Sequence, residues 1–297
     1  MQRDFFTAKK QLPFLGVGLG LRTELAECIF AETRAIDFLE IIPEQYMSKG
    51  GESRERLEKA CSLYRAVSHG VNLSLGSTDE LNWSYLQSLK QFVKDIRAPW
   101  FSDHVCFASL GQVYLHELLP VPFSRAALEH MRKRIEQVKA YVDLPFLVEN
   151  TTYYMKVPGS TMSEAQFLSE LLEQADCGLL LDINNVYVNC INHGLDPYSF
   201  LDQLPLERTV QIHMAGHKQS GDIILDTHGS SIAEPVYDLL KYALGKPGVA
   251  VHGITIERDQ NQPEFTELKE ELAVIRAIYE RNNSAPPPVK EASVQNG

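Results

Sequence analysis

Side chains able to bind a metal recur at the ends of apolar runs. His69 closes "AVSH", His104 closes "WFSDH", Glu149 closes "FLVE" and Asp182 closes "LLLD", while His213 lies in "TVQIHMAGH" and Glu257 follows "GITI". Asp226 and His228 fall together in "DTHGSS". Imidazoles and carboxylates together suit borderline divalent metals such as iron, zinc or manganese. A single strand-end histidine or aspartate is ordinarily a turn cap or a satisfied core group. So many on one rim is different, because clustered buried carboxylates repel unless protons or cations neutralise them. Three such ligands complete one catalytic site with an open position. This set is large enough for two or three metals, with Glu149 central enough to bridge. No cysteine stands among these candidates, which argues against a thiolate zinc site.

Their neighbours have plainer readings as well as functional ones. Asn150 and Arg258 each follow a candidate ligand and would orient it, or would only solvate the rim. Asn184 and Asn185 follow Asp182, and His217 and His193 lie on loops. Glu40 in "FLEIIPEQY" would line the pocket or cap its strand. His116, His130 and His252 read as surface or packing histidines.

Positioning these groups requires strands that end at a common rim. Strand-like runs at 16–21, 36–42, 66–71, 100–107, 146–153, 177–187, 209–217 and 253–259 alternate with helical patterns near 23–33, 52–65, 78–95, 124–142, 163–175, 196–203, 231–244 and 264–282. The strands are apolar throughout, as expected when both faces are buried. Eight β-then-α units in 297 residues point to a (β/α)8 TIM barrel, whose active site lies at the C-terminal ends of its strands. A doubly wound open sheet is the structural alternative. "GVGLGLR" is G-x-G-x-G, not the G-x-G-x-x-G of a dinucleotide loop, and suits a tight barrel strand equally well. Ser163 and Gln166 match a capping box. Residues 1–282 are expected to form one catalytic barrel, and 283–297, rich in proline and serine without an apolar period, a disordered tail.

Composition narrows the function. A net charge of −11 without a concentrated basic face disfavours a duplex nucleic-acid binder. No run of about 18 apolar residues is present, so no membrane span is expected, and the first residues lack the apolar core of a secretory signal. Five scattered cysteines without a C-x-x-C pair fit reduced thiols, mostly packed in the core, of a cytoplasmic protein.

The motifs "SHGVNLSLGS", "SDHVCF", "LVENTTYY", "MSEAQFL", "CGLLLDINNVYVN", "NHGLDPYSFLDQLP", "IHMAGH", "DTHGSSI" and "IERD" together resemble the multinuclear non-haem iron-dependent oxidases, a bacterial family that includes the methanobactin iron oxidase. The resemblance implies a xylose-isomerase-like barrel with two or three irons of mixed Fe(II) and Fe(III) state, for which zinc or manganese could substitute. It implies that dioxygen is used to modify cysteine residues of a ribosomally synthesised precursor peptide, beginning with hydrogen removal from the cysteine β-carbon. A separate leader-binding partner protein is expected too, since nothing here looks like a leader-binding domain. By similarity to the three-zinc barrel of apurinic endonucleases, His69, His104 and Glu149 would hold one metal. Glu149, Asp182, His213 and Glu257 would hold the second. Asp226 and His228 would hold the third with Asn185, which stands where the endonuclease barrel has a histidine; Asn184 competes for that role. The alternative functions are a divalent-metal-dependent hydrolase or isomerase acting on a phosphodiester or sugar, and a non-catalytic metal binder.

Overall fold

The computed structural model describes residues 4–47, 50–111 and 113–283. The strands are β1 (Gly16–Gly20), β2 (Phe38–Ile41), β3 (Arg65–His69), β4 (Phe101–His104), β5 (Cys106–Leu110), β6 (Val113–Pro120), β7 (Phe146–Glu149), β8 (Gly178–Asp182), β9 (Thr209–Met214), β10 (His217–Ser220), β11 (Ile223–Asp226) and β12 (Gly253–Ile256). Eight of them, in the order β1-β12-β9-β8-β7-β4-β3-β2, close into a parallel barrel, with β1 hydrogen-bonded to both β12 and β2. The (β/α)8 architecture expected from the alternation is therefore the fold.

Among the described residues ten α-helices accompany the strands. The chain begins with α1 (Phe5–Lys9), and α2 (Ala26–Ala31), α3 (Glu52–Leu63) and α4 (Trp83–Asp95) follow β1, β2 and β3. After these come α5 (Arg125–Val142), α6 (Glu164–Gln174), α7 (Ile183–His193), α8 (Pro197–Asp202), α9 (Glu234–Leu244) and α10 (Phe265–Asn283). Asn82 and Ser124 cap α4 and α5 through their side chains, and Ser163 with Gln166 forms the reciprocal capping box of α6. Each cap satisfies amides that the first helical turn leaves open, so these sequences stop the chain at defined points.

Two apolar cores separate the layers. The larger lies between strands and helices. The smaller gathers Phe5, Leu15, Phe38, Val67, Trp100, Leu147, Leu180 and Val210, contributed by strand starts and α1. It plugs the barrel below the rim. Gly18 of "GVGLG" and Gly253 of β12 serve this packing: a Cβ at Gly18 would lie 2.8 Å from the Phe38 ring, and one at Gly253 2.9 Å from it. Close approach, and not phosphate binding, accounts for them.

Several boundaries differ from the sequence reading. The run 177–187 is not one strand: β8 ends at Asp182, whose side chain accepts from the Asn185 amide and starts α7. Ile183, Val186 and Cys190 are buried along one face of α7 at helical spacing, a period hidden by its continuity with the apolar strand. The run 100–107 breaks at Val105 into β4 and β5. The antiparallel hairpins β5–β6 and β10–β11 were not foreseen, because each exposes much of its surface and shows little apolar alternation. Cys106, Cys177 and Cys190 are buried as expected, but Cys28 is exposed and Cys61 half-buried. Of the expected tail, all but Asn283 lies outside the described residues. Among the described residues no helix is long and apolar enough to cross a membrane.

Gly216 joins β9 to β10, and a Cβ there would stand 2.0 Å from the backbone oxygen of Ser230. Backbone cannot swing aside as a flexible side chain can. Gly216→Ala is therefore expected to destabilise the protein by roughly 1–3 kcal/mol, the usual cost of overpacking, measured by denaturant unfolding. A change within about 0.3 kcal/mol, inside the scatter of neutral surface substitutions, would contradict this packing.

Candidate metal centre

The barrel register sets the geometry of the rim. His104 is paired with Glu149 across β4 and β7, and Asp182 with His213 across β8 and β9. His69 ends β3 and Glu257 immediately follows β12. All six side chains are buried. Glu149 lies between two groups of partners. Its Oε2 is 3.0 Å from His69 Nε2 and 3.1 Å from His104 Nε2, while its Oε1 is 3.0 Å from His213 Nδ1. His213 Nδ1 is also 3.2 Å from Glu257 Oε2. One donor atom each from His69, His104 and Glu149 fall within 4.8 Å of one another, and so do those of Glu149, Asp182, His213 and Glu257.

Proton placement tests whether these atoms suit a cation. His104 Nδ1 donates to the Gly70 carbonyl oxygen (3.1 Å). His69 Nδ1 faces Ser102 Oγ at 2.9 Å, and that hydroxyl donates onward to the Ser68 carbonyl. Neutral imidazoles held in this way carry their lone pairs on Nε2. The two Nε2 atoms are 3.3 Å apart and both face Glu149 Oε2, which makes no hydrogen bond among the described residues. Asp182 Oδ2 and His228 Nε2 are likewise buried without one. Electron pairs converging on electron pairs are costly unless a cation or protons sit among them, so the donor set fits divalent metals.

Electrostatics agree. Burial opposes ionisation of Glu149 and Glu257, but His213 and the other rim imidazoles hold both carboxyls below the usual carboxylate range. Burial pushes Asp182 well up, reinforced by Glu149 and Asp226. Burial alone would depress His104, yet the Glu149 and Asp103 carboxylates carry it to about 9. His213 and His228 are raised for the same reason, by Glu257, Glu40 and Glu149 in one case and mainly by Asp226 in the other. Without metal, this rim holds protons.

The third corner is built by the β10–β11 hairpin and the loop after it. His228 Nε2 is 2.8 Å from Asp226 Oδ1 and 3.9 Å from Asp182 Oδ2, while its Nδ1 is 3.3 Å from Glu257 Oε2 and 3.1 Å from Asp259 Oδ2. Its backbone φ of +47° is unusual for a residue with a side chain. Asn185 Oδ1 and Asp226 Oδ2 both face the Thr152 hydroxyl, at 2.9 and 2.6 Å. Asn184 turns its Nδ2 to Asp226 and its Oδ1 to His217 Nδ1. Of the two asparagines, Asn185 thus presents oxygen beside Asp226, whereas Asn184 presents its amide hydrogens to Asp226 Oδ1.

The neighbours divide. Asn150 exchanges two hydrogen bonds with the Asp182 backbone, and its own carbonyl receives Asn185 Nδ2, which locks the ends of β7 and β8 together. Arg258 does not orient Glu257: it turns away and pairs with Glu271 of α10 at 2.9 Å. Alternation along the strand explains this, since residue 258 faces opposite to residue 257. His193 stacks on Tyr153. Sequence reasoning missed Asp259, Arg22, Thr152 and Tyr154. Arg22 is buried and binds Asp259 at 2.6 Å, adding fixed positive charge beside the acids. The i, i+2 spacing of Glu257 and Asp259 in "IERD" was a readable sign that both face the rim. A cavity of about 360 Å³ opens above the cluster, with Thr152, Tyr154 and residues Glu117 and Leu118 of β6 in its wall.

A family model described as "RiPP precursor modification enzyme MbnB/TglH/ChrH" matches residues 16–280. A UPF0276 protein of Shewanella oneidensis is 39% identical over 270 residues, spanning 90% of this chain and 95% of the relative. Another, from Anaeromyxobacter sp. strain Fw109-5, is 41% identical over 258 residues, spanning 86% and 90%. Among solved structures, a D-tagatose 3-epimerase-like protein superposes with a TM-score of 0.57 at 14% identity, covering 90% of this chain and 98% of that one. A xylose isomerase domain protein from Planctomyces limnophilus does so at 0.55 and 12%, covering 92% and 100%. At these identities the likeness is one of fold, the xylose-isomerase-like TIM barrel.

Glu149→Ala should lower metal content by more than one equivalent per chain, measured by elemental analysis after anaerobic Fe(II) loading, with circular dichroism unchanged. A full complement would contradict the bridging position. A second expectation concerns protons. His104 has a folded pKa above its unfolded value, so in metal-free protein its stabilisation is complete below about pH 6.5 and is lost as pH rises through about 9. The stability advantage of metal-free wild type over His104→Gln should shrink across that window. A constant difference would contradict it.

Proposed function

We propose a function on one premise: the chain belongs to the MbnB/TglH/ChrH family of RiPP precursor modification enzymes. The rim holds two or three irons and oxidises cysteine residues of a ribosomally synthesised precursor peptide with dioxygen. The position of Glu149 carries the reading, since its two oxygens face separate histidine groups at 3.0–3.1 Å. A bridging carboxylate of that kind is what a multinuclear centre needs. Bound iron would supply the one-electron and dioxygen chemistry that no side chain provides.

The protein's own part is binding, orientation and exclusion of water. His69, His104 and Glu149 take one metal, and Glu149, Asp182, His213 and Glu257 the next. Asn185, Asp226 and His228 take the third, with Asp259 within reach. A neutral amide oxygen contributes less charge than a carboxylate, so this third metal is the most weakly held. The Tyr154 hydroxyl receives the Asp226 backbone amide at 3.0 Å and holds the end of β11 against the mouth. Half-exposed Tyr154 and Leu118 of β6 give the wall of that mouth apolar surface suited to a peptide. A separate protein that binds the leader segment completes the proposed system.

Oxygen consumption tests this reading. Protein loaded anaerobically with Fe(II) should take up dioxygen only when a cysteine-containing precursor peptide is added, with a matching mass change on that peptide. A peptide with serine in place of cysteine should give neither response. Oxygen-independent turnover of a sugar or phosphodiester by zinc- or manganese-loaded protein, with no effect on the peptide, would overturn it.

A further inference from the structure

His213 meets the rim differently from His69 and His104. Those two turn Nε2 to Glu149 and secure Nδ1 on Ser102 and on the Gly70 carbonyl. His213 turns Nδ1 to Glu149 and Glu257, and its Nε2 points down the barrel to Glu40 Oε2 at 2.8 Å. We infer that Glu40 is a positioning residue which, held by Gln211 and Trp100, fixes the tautomer of His213 so that Nδ1 carries the lone pair for the metal. The inference rests on the metal-centre reading above.

The logic starts at the plug. The Trp100 indole can only donate, and it donates to Gln211 Oε1 at 2.7 Å. That bond sets the orientation of the Gln211 amide, whose Nε2 must face the other way. There Nε2 donates one hydrogen to Thr255 Oγ1 at 2.9 Å and the other to Glu40 Oε2. With both hydrogens used, Gln211 has none for His213 Nε2, which lies 3.4 Å away. The proton between His213 and Glu40 therefore belongs to Nε2, and Nδ1 is the nitrogen whose lone pair a metal takes when it replaces the rim proton. Glu40 Oε1 makes no hydrogen bond among the described residues, so the carboxylate directs itself to His213 and Gln211. Trp100, Gln211, Glu40, Thr255 and His213 are all fully buried, so solvent does not compete for these bonds. A carboxylate on the distal nitrogen of a metal-binding histidine orients the ring and raises its basicity.

The test uses full-length protein loaded with Zn(II), which is diamagnetic and needs neither oxygen nor peptide. Long-range proton–nitrogen correlation spectra of histidine-labelled protein, with His213 assigned by its loss in His213→Gln, should show a proton on Nε2 and a metal-shifted Nδ1. In chelator competition, Glu40→Ala should weaken Zn(II) binding by about 10–100-fold, the usual cost of losing such a partner. Glu40→Gln keeps an acceptor oxygen and should recover part of the loss. Trp100→Phe, which touches no ligand, should weaken binding in the same direction by freeing the Gln211 amide. Zn(II) on Nε2 with Glu40 as a direct ligand would overturn the inference, as would affinity of Glu40→Ala within about twofold of wild type. If the protein oxidises no cysteine, the function proposed above fails while these spectra still decide the tautomer.

Discussion

Burying several carboxylates in one barrel mouth is the constraint on which the rest of the structure depends. Glu149, Asp182 and Glu257 lie within reach of a common point, and Glu40 stands one layer below, against His213. Moving each charge out of water costs several kcal/mol, and their mutual repulsion in a medium of low dielectric adds to it. Four imidazoles and Arg22 are the counter-charges the chain supplies. They balance the acids only when protonated or when a cation takes the place of those protons. A rim built this way favours metal occupancy over any arrangement its side chains could reach alone.

The fold answers this constraint layer by layer. Aromatic and aliphatic side chains close the bottom of the barrel and exclude water there. Above them Trp100, Gln211, Thr255 and Glu40 form a buried polar layer with a directed chain of hydrogen bonds. The ligand layer follows, carried on rigid parallel strands whose register holds Glu149 beside His104 and Asp182 beside His213. Only the third corner rests on less regular structure, a hairpin and a loop, where His228 adopts a left-handed backbone. Rigid support for two metal positions and looser support for a third match the graded affinities proposed for them. The two hairpins rise beside this rim, and β6 contributes Glu117 and Leu118 to its cavity.

Much of this was legible in the sequence, and for definite reasons. Strands buried on both faces read as continuous apolar runs, so β1, β2, β7 and β9 are plain. A polar residue at the end of such a run must face the barrel mouth, which is how His69, Glu149 and His213 could be picked out. The rule picked out Asp182 as well, but the strand boundary is lost where β8 passes directly into the apolar helix α7 at Ile183. Patterning fails also for strands that are largely exposed, as β6 and β10 of the hairpins are. Arg258 shows another limit: adjacency in sequence suggested contact with Glu257, but alternation sends the two side chains to opposite faces. Glu40 could be seen as a pocket-lining acid, but its pairing with His213, 173 residues away, depends on barrel closure that no local pattern encodes.

The central claim is that Glu149 joins two metals. The most direct measurement is diffraction at the iron absorption edge from crystals of anaerobically loaded protein. Two anomalous peaks are expected on either side of the Glu149 carboxylate, one beside His69 and His104 and the other beside Asp182, His213 and Glu257. A single peak, or peaks that leave Glu149 without contact to metal, would contradict the account.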